Sequence, residues 1–524
     1  MNSSGFVGSD QPRVLTPFPL ATMVLLVVAS YWVLAGYHRQ RRNLQAGLER
    51  GCQPVKAWDA KWPFGLDMLF KALRYSREQH ILQFFVDVTE TSGTTFEQNL
   101  LGARGIDTID PENIETVLST KFSDYSLGLR APTFHPLLGN GIFTQDGEPW
   151  KHSRQLLRPQ FASNRTRNFE QIKACVQQLI QDLPSDGSTV DLQPIFFKLT
   201  FDTTMFLLFG DAVSDRDWGK VAGQESAFAS AFNTGQDYLA HRGRLGPFYW
   251  LLSDRTFRAA CATCHRFIEE AIQKALEVDG DEEKEDEEEG YVFIKALAQR
   301  TDDKLVLRDQ SLNVLLAGRD TTGCCLSWTF RLLARHQVVL GKLRDEIRSI
   351  CSLGANADPP TRDQLKAMPY LSIVVKEVLR LYPSVPVNSR EAATTTVLPR
   401  GGGPGGKAPI LVHPGEAVGY CAYAMHRRKD LYGEDADRFR PERWEDGSLK
   451  SIGWAYLPFN GGPRICLGQD FALLEVYYTV VRLIQVFPNI TVPDSEPRVE
   501  VGKERQTLTL VVASADGCRV SMKR

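Results

Sequence analysis

The residues whose types and spacing best suit chemistry lie near the C-terminal end, in Phe459-Asn460-Gly461-Gly462-Pro463-Arg464-Ile465-Cys466-Leu467-Gly468. This glycine-rich loop holds one cysteine and runs directly into an apolar helical stretch, Phe471 to Phe487. A thiolate at the mouth of a helix faces unpaired backbone N–H groups and the positive end of the helix dipole, and both favour its charged form. That is the form an iron ligand needs, so Cys466 is the candidate metal ligand. Gly461 and Gly462 permit a tight turn in which backbone N–H groups approach the sulfur, and Gly468 lets the helix lie against something large and flat, a description that haem fits. Arg464 is placed to meet an anionic group beside it, such as a haem propionate. Taken alone, Cys466 also reads as a buried apolar cysteine after an ordinary turn.

Three other constellations stand out. Trp150 and Arg154 in Trp150-Lys151-His152-Ser153-Arg154 are four apart, so they share a helical face and can donate to one anion; surface packing is the plainer reading. Leu312 to Thr322 is an apolar helical pattern that acquires Gly318, Asp320 and two threonines. Gly318 and Thr321 share a face, and a threonine hydroxyl that bonds back to a preceding carbonyl opens a small polar notch there, unless it is merely a buried threonine satisfied by its own backbone. Glu377 and Arg380 sit on neighbouring turns, with Arg443 far along the chain; an isolated surface pair of this kind is worth only ~0.3–0.5 kcal/mol. Cys261-Ala262-Thr263-Cys264-His265 matches a covalent c-type haem attachment pattern and offers a rival reading of the same cofactor, but it lies inside the helically spaced stretch Arg258 to Leu276.

The pattern Phe-x-x-Gly-x-Arg-x-Cys-x-Gly, filled at every fixed position, resembles the haem-binding loop of the cytochrome P-450 monooxygenases. The resemblance implies that Cys466 is the proximal ligand whose electron density favours O–O cleavage, in a haem b site that includes Phe459, Gly468 and Gly318. It also implies that Trp150, Arg154 and Arg390 hold the haem propionates. Ala317-Gly318-Arg319-Asp320-Thr321-Thr322 then forms the groove where dioxygen binds opposite the cysteine, with Asp320 and Thr321 as the catalytic proton-delivering pair. Glu377, Arg380 and Arg443 become a buried structural triad behind the cysteine loop. Within the family the chain resembles the fungal terminal hydroxylases of alkanes and fatty acids, through Trp150 to Phe161, Leu398 to Gly403 and Met425 to Asp430. It departs from them after Ser384-Val385-Pro386, where Val387-Asn388-Ser389-Arg390 stands in place of an arginine and a bulky residue.

The elements that must position these residues are chiefly helices. Helical spacing predicts Asn168–Leu183, Leu192–Phe209, Phe257–Leu276, Leu305–His336, Val339–Cys351 and Tyr370–Leu381. The one clear strand pair is Pro409–Val412 with Ala417–Tyr420, an antiparallel hairpin around His413-Pro414-Gly415. The glycine run Arg400 to Gly406 opens no helix, so it reads as an exposed tip and not as a phosphate cradle. The fold class is therefore mainly α with small β-sheets, which the resemblance implies is the cytochrome P-450 fold, and it is expected to be preceded by one transmembrane helix.

The chain has 524 residues, 61 basic and 63 acidic, for a net charge of −2. That balance points away from nucleic acid and from any strongly charged partner. Its ten cysteines lack the dense, even spacing of a secreted disulfide scaffold, which indicates a reducing compartment. Leu20 to Tyr37 is 18 residues without a charge, followed at once by Arg39, Arg41 and Arg42. A span of ~20 such residues crosses a bilayer, and basic residues stay on the cytosolic side. This gives a lumenal segment over 1–19 with a glycosylation acceptor at Asn2, an anchor over 20–37, a Pro- and Trp-containing linker over 38–66 and a catalytic domain over 67–524. A cleaved signal peptide is the alternative, disfavoured because the positive cluster follows the apolar run. The acidic run Asp279 to Glu289 reads as a solvated loop.

The expected protein is a single-pass enzyme of the endoplasmic reticulum membrane with its catalytic domain in the cytosol. It inserts one atom of dioxygen into a C–H bond of an apolar small molecule, a fatty acid or alkane attacked at or near its end. No flavin domain or dinucleotide motif is visible, so electrons must come from a separate protein, in the family an NADPH–cytochrome P-450 reductase. The alternatives are a tailoring oxidase of a polyketide or terpenoid and, from another class, a haem protein that only transfers electrons, for which the Asp320-Thr321 pair has no use.

Overall fold

The computed structural model describes residues 47–100, 102–162, 165–210, 224–277 and 292–524, with positions 23, 27, 30, 31, 34 and 45. Helices α1 (Leu66–Arg77) and α2 (Ile81–Ser92) lead into strands β1 (Thr95–Leu100) and β2 (Ala103–Thr108), followed by the short β3 (Tyr125–Ser126). The chain then runs through α3 (Gly147–Ala162), α4 (Arg165–Asp182), β4 (Asp186–Asp191), α5 (Leu192–Phe209), α6 (Gln224–Arg244) and α7 (Arg255–Glu277). Next come the long α8 (Lys304–Arg335), α9 (Gln337–Cys351) and α10 (Pro369–Leu381). Strands β5 (Val387–Ala392), β6 (Thr396–Gly402), β7 (Ala408–Val412) and β8 (Ala417–Cys421) precede α11 (Gln469–Val486) and four short C-terminal strands. All six helices read from apolar spacing are present, each end within three residues of its expected place.

Helix α8 begins where the Asp303 side chain accepts a hydrogen bond from the Leu305 N–H at 2.8 Å, a helix cap. It is buried on nearly every side, as a helix through the middle of a domain must be. It packs along α5 at Gly318, where a Cβ would run into the Thr204 hydroxyl, and Thr200 Oγ1 donates to the Arg319 carbonyl at 2.6 Å. The two helices therefore approach closely at the notch predicted around Gly318.

The main sheet has the order β1-β2-β8-β5-β3. The expected hairpin between β7 and β8 does not form. β7 pairs antiparallel with β6, while β8 lies between β2, parallel, and β5, antiparallel. The glycine run is the real hairpin turn: Gly401 and Gly406 take positive φ, and the Gly401 N–H donates to the Gly406 carbonyl at 2.8 Å. The His413-Pro414-Gly415 turn instead hands the chain from one sheet to the other, with the Gly415 N–H bonded to the Ala392 carbonyl. Residues before α1 are stitched to both sheets, Val55 bridging Gly402 and Ala57 bridging Glu97.

Among the described residues no helix is long and apolar enough to cross a membrane. The lumenal segment 1–19, most of the anchor 20–37, the acidic run 279–289 and Asn2 lie outside the described residues.

Candidate active site

A cavity of about 880 Å³ lies between the helical core and the core built on α8, α10 and α11. Cys466 stands on one wall and Ala317, Gly318 and Thr321 of α8 on another. Cys466 is the exposed member of the ten unpaired cysteines, but it is open to this internal cavity and lies deep in the protein, so burial still acts on its sulfur. Cys261 and Cys264 are buried in the helical core, and burial pushes each thiol up to about 12, so neither suits attachment to a ligand in this cavity.

The Cys466 N–H donates to the Phe459 carbonyl at 3.0 Å and closes the loop. Gly462 has φ +66°, where a Cβ would also collide with the Leu118 carbonyl oxygen, and a Cβ on Gly461 would strike the Trp454 ring. These two glycines thus combine the expected tight turn, in which the Ile465 N–H donates to the Gly462 carbonyl at 3.0 Å, with close packing beneath the loop. The hydrogen bond that favours the charged sulfur comes from the Gly468 backbone, seconded by the Arg154 charge, and both oppose the larger effect of burial, which raises the thiol. A Cβ on Gly468 would lie 3.2 Å from the Phe161 ring.

Behind the loop, Glu377 accepts five hydrogen bonds. Arg380 Nε and Nη2 and Arg443 Nε donate at 2.9 Å, and Trp444 Nε1 and the Arg440 N–H at 3.0 Å. Arg380 Nη1 also donates to the His426 carbonyl at 2.7 Å. His426 accepts from the Leu457 N–H at Nε2, 2.9 Å, so its Nδ1–H donates to the Arg380 carbonyl, 2.9 Å. Burial holds this imidazole neutral, with its pKa pushed down to about 3. The triad is thus tied to the strand of chain that carries Phe459, through a histidine that sequence reading missed.

Four guanidinium groups gather at the cavity edge. Arg464 Nη2 donates to Asp146 Oδ1 at 2.7 Å, and its guanidinium stacks 4.3 Å from the Trp150 ring. Arg154 Nη1 donates to the Ile465 carbonyl at 3.0 Å. Arg390 Nη1 donates to the Ser389 carbonyl at 2.7 Å, while its Nε is buried without a partner. Arg130, which no motif flagged, bonds Asn388 Oδ1 and the Ser389 carbonyl; burial and then the Arg390 charge push it down to about 9. Burial likewise pushes Arg464 down to about 10, with Arg390 and Arg154 repelling it. Three of these cations, Arg130, Arg390 and Arg464, repel one another with Asp146 as the carboxylate that offsets them, and the Nε–H of Arg390 is left without a partner. The arrangement fits a planar ligand that carries two carboxylates, as haem does.

On the α8 wall Thr321 Oγ1 donates to the Ala317 carbonyl at 2.6 Å, the expected back-bond, and Ser384 Oγ caps the Thr321 carbonyl at 2.9 Å. Asp320 does not line the cavity. Its Oδ1 accepts from Arg319 Nη1 at 3.0 Å, and burial raises its carboxyl against the pull of Arg319 and of a hydrogen bond from Gln236. Gln236 does line the cavity, so Asp320 sits one residue behind its surface.

Residues 61–513 match the sequence profile described as cytochrome P-450. The chain is 58% identical over 508 residues to a cytochrome P-450 of Arthroderma benhamiae, covering 96% of this chain and 99% of that one. It is 43% identical to cytochrome P-450 52A13 of Debaryomyces hansenii, over 88% and 89% of the two chains. Its fold matches the crystal structure of the cytochrome P-450DA haem domain with a TM-score of 0.73 at 21% identity, covering 90% of this chain and 98% of that one. With the loop, the notch and the cation cluster in one cavity, and with a family match over most of its length, the chain belongs to the cytochrome P-450 family.

Proposed function

We propose that the enzyme holds haem b through Cys466 and hydroxylates a long apolar chain at or near its end. Membership of the family makes it a monooxygenase that uses dioxygen, electrons from a separate redox partner and an apolar substrate. The observation that carries the finer reading is the single cavity, mostly apolar, that joins Cys466 to the Thr321 wall.

Haem bound here supplies the activation of dioxygen; the rest is done by the chain's own residues. Cys466 is the anionic ligand, steadied by Gly468 and Arg154. Arg130, Arg154, Arg390 and Arg464 with Trp150 would hold the two propionates, and Phe459 and Gly468 would line the haem site beside Cys466. Thr321 Oγ1 would accept a proton on its free lone pairs and release its own, now held by the Ala317 carbonyl, into the notch, while Asp320, set behind Gln236 and paired with Arg319, would be the more distant acid of the relay. The apolar walls exclude water and hold the chain end in place, which attack on a strong terminal C–H bond requires.

The resemblance to terminal hydroxylases supports a fatty acid or alkane. Val387 and Ser389 line the cavity and are smaller than that branch carries, which favours a second reading, oxidation of a bulkier polyketide or terpenoid. Exposed Trp62, Phe64, Phe70 and Leu73, of which Leu73 lines the cavity, and exposed Phe248, Trp250 and Leu251, which follow Gly246 of the same lining, support a membrane-facing mouth. With the Leu20–Tyr37 segment they support the endoplasmic reticulum and a membrane-borne NADPH–cytochrome P-450 reductase as partner. Incubation of the reconstituted enzyme with C12–C18 fatty acids and alkanes tests the reading. Hydroxylated product with a substrate-induced spin shift is expected; neither would defeat it in favour of the tailoring oxidase.

A further inference from the structure

One face of the five-stranded sheet lines the cavity, and it is not apolar. Register places Gln98 opposite Gly105 on β1 and β2, and Asp107 opposite Gly419 on β2 and β8. Because side chains alternate along a strand, Gln98, Gly105 and Asp107 share that face with Ala417 and Gly419. Gln98, Asp107, Ala417 and Gly419 all line the cavity.

Two features of this patch lack an internal explanation. Asp107 has no hydrogen-bond or ion-pair partner among the described residues; burial alone acts on its carboxyl and pushes it up to about 6. Gln98 Oε1 is buried without a partner, while its Nε2 lies over Gly105, 2.7 Å from where a Cβ would stand. A Cβ on Gly419 would likewise collide with Asp107 Oδ1. The two glycines thus leave room for two polar side chains to lie across the sheet at the cavity wall, Asp107 with an unpartnered carboxyl and Gln98 with its amide beside it. Diagonal neighbours on adjacent strands are roughly 7–8 Å apart, close enough for one small group to meet both. A carboxyl left without a partner on a mostly apolar cavity wall is costly, so Asp107 is explained by a ligand that donates to it, with the Gln98 amide as its neighbour.

We propose that Asp107 and Gln98 form a subsite for a hydroxyl-bearing end of the substrate, whose other end reaches the Cys466 wall. This rests on the reading of the substrate as a long apolar chain and narrows it to a chain that already bears a hydroxyl at its far end, in preference to the plain alkane or the ionised fatty acid. A hydroxyl suits Asp107 in both protonation states, since it donates to the carboxylate and accepts from the acid. A free carboxylate cannot donate to either residue and is repelled by ionised Asp107. An ammonium donates but cannot accept from the protonated acid.

The test uses the full-length haem-loaded enzyme and three C12 probes: 1-dodecanol, its methyl ether, and dodecanoate. Dissociation constants are read by spin shift and by calorimetry, for wild type, Asp107→Ala, Asp107→Asn and Gln98→Leu. In wild type dodecanol is expected to bind about 3- to 10-fold more tightly than the ether, as one or two neutral hydrogen bonds allow. That ratio should fall to about 1 in Asp107→Ala and be partly kept in Asp107→Asn, which still accepts through its amide oxygen. A ratio near 1 in wild type, or one unchanged by every variant that retains its reduced carbon monoxide band, overturns the subsite while leaving the long-chain reading intact. Binding of none of the three probes defeats the long-chain reading itself, and the subsite with it.

Discussion

Glu377→Gln tests how the cysteine loop is braced. The carboxylate accepts five hydrogen bonds, three at Oε1 and two at Oε2, with Glu377 and Arg380 fully buried. The less damaging orientation of glutamine puts its NH₂ at the Oε2 position, facing two donors, Arg380 Nε–H and Trp444 Nε1–H. Two N–H groups are then unsatisfied, and Arg380 keeps only carbonyl partners around its charge, whereas Arg443 retains Asp435 at 3.1 Å. Breaking a buried ion pair on one side costs about 3–5 kcal/mol. With an unfolding entropy near 2.1 cal/mol/K per residue, a chain of 524 residues gives about 1.1 kcal/mol/K, so Tm should fall by about 3–5 °C. Because Arg380 holds His426, and His426 holds the Leu457 N–H, the haem spectrum should degrade before global unfolding. Differential scanning calorimetry with a parallel absorbance melt measures both. A Tm within about 1 °C of wild type, or a haem transition that does not move, would refute the bracing argument.

Three other outcomes follow from single residues. Burial pushes Glu475 up to about 8, with only Thr203 Oγ1 donating to it at 2.6 Å, so the fold favours its neutral form. Stability should therefore be greatest below the unfolded carboxyl's pKa and decline as pH rises toward 8, by up to about 5 kcal/mol. Glu475→Gln should flatten that decline in urea melts at pH 5 and pH 8, and parallel slopes would contradict it. Thr321→Ala should keep haem and substrate binding but lower product formed per NADPH about 10-fold or more, with peroxide rising to match; unchanged coupling would remove its proton role. A chain beginning at residue 47 should wash from membranes at high pH while the full chain stays, and equal retention would move the anchor to the exposed aromatic rim.

The helices were legible because their apolar period is local, and α5 appears at its expected bounds, Leu192–Phe209. Strand pairing was not, because the partner of β7 is chosen by the glycine turn before it, and β8 pairs with β2, some 300 residues away in sequence, rather than with its neighbour β7. The cysteine loop could be read because its motif is contiguous. Arg130, Asp146 and His426 could not, since each meets the site through a contact with a distant segment and no spacing marks it. Asp320 shows the opposite limit: a motif names the residue, but only the fold shows its carboxyl turned to Arg319 and away from the cavity.

The most direct test of the central claim is the reduced carbon monoxide difference spectrum of Cys466→Ala beside that of the wild type. Sulfur ligation by Cys466 predicts that the wild type shows the thiolate-type band of its family and that the variant, at matched protein concentration and helical content, loses it completely. Persistence of the band in Cys466→Ala would contradict the assignment and place the ligand elsewhere in the chain.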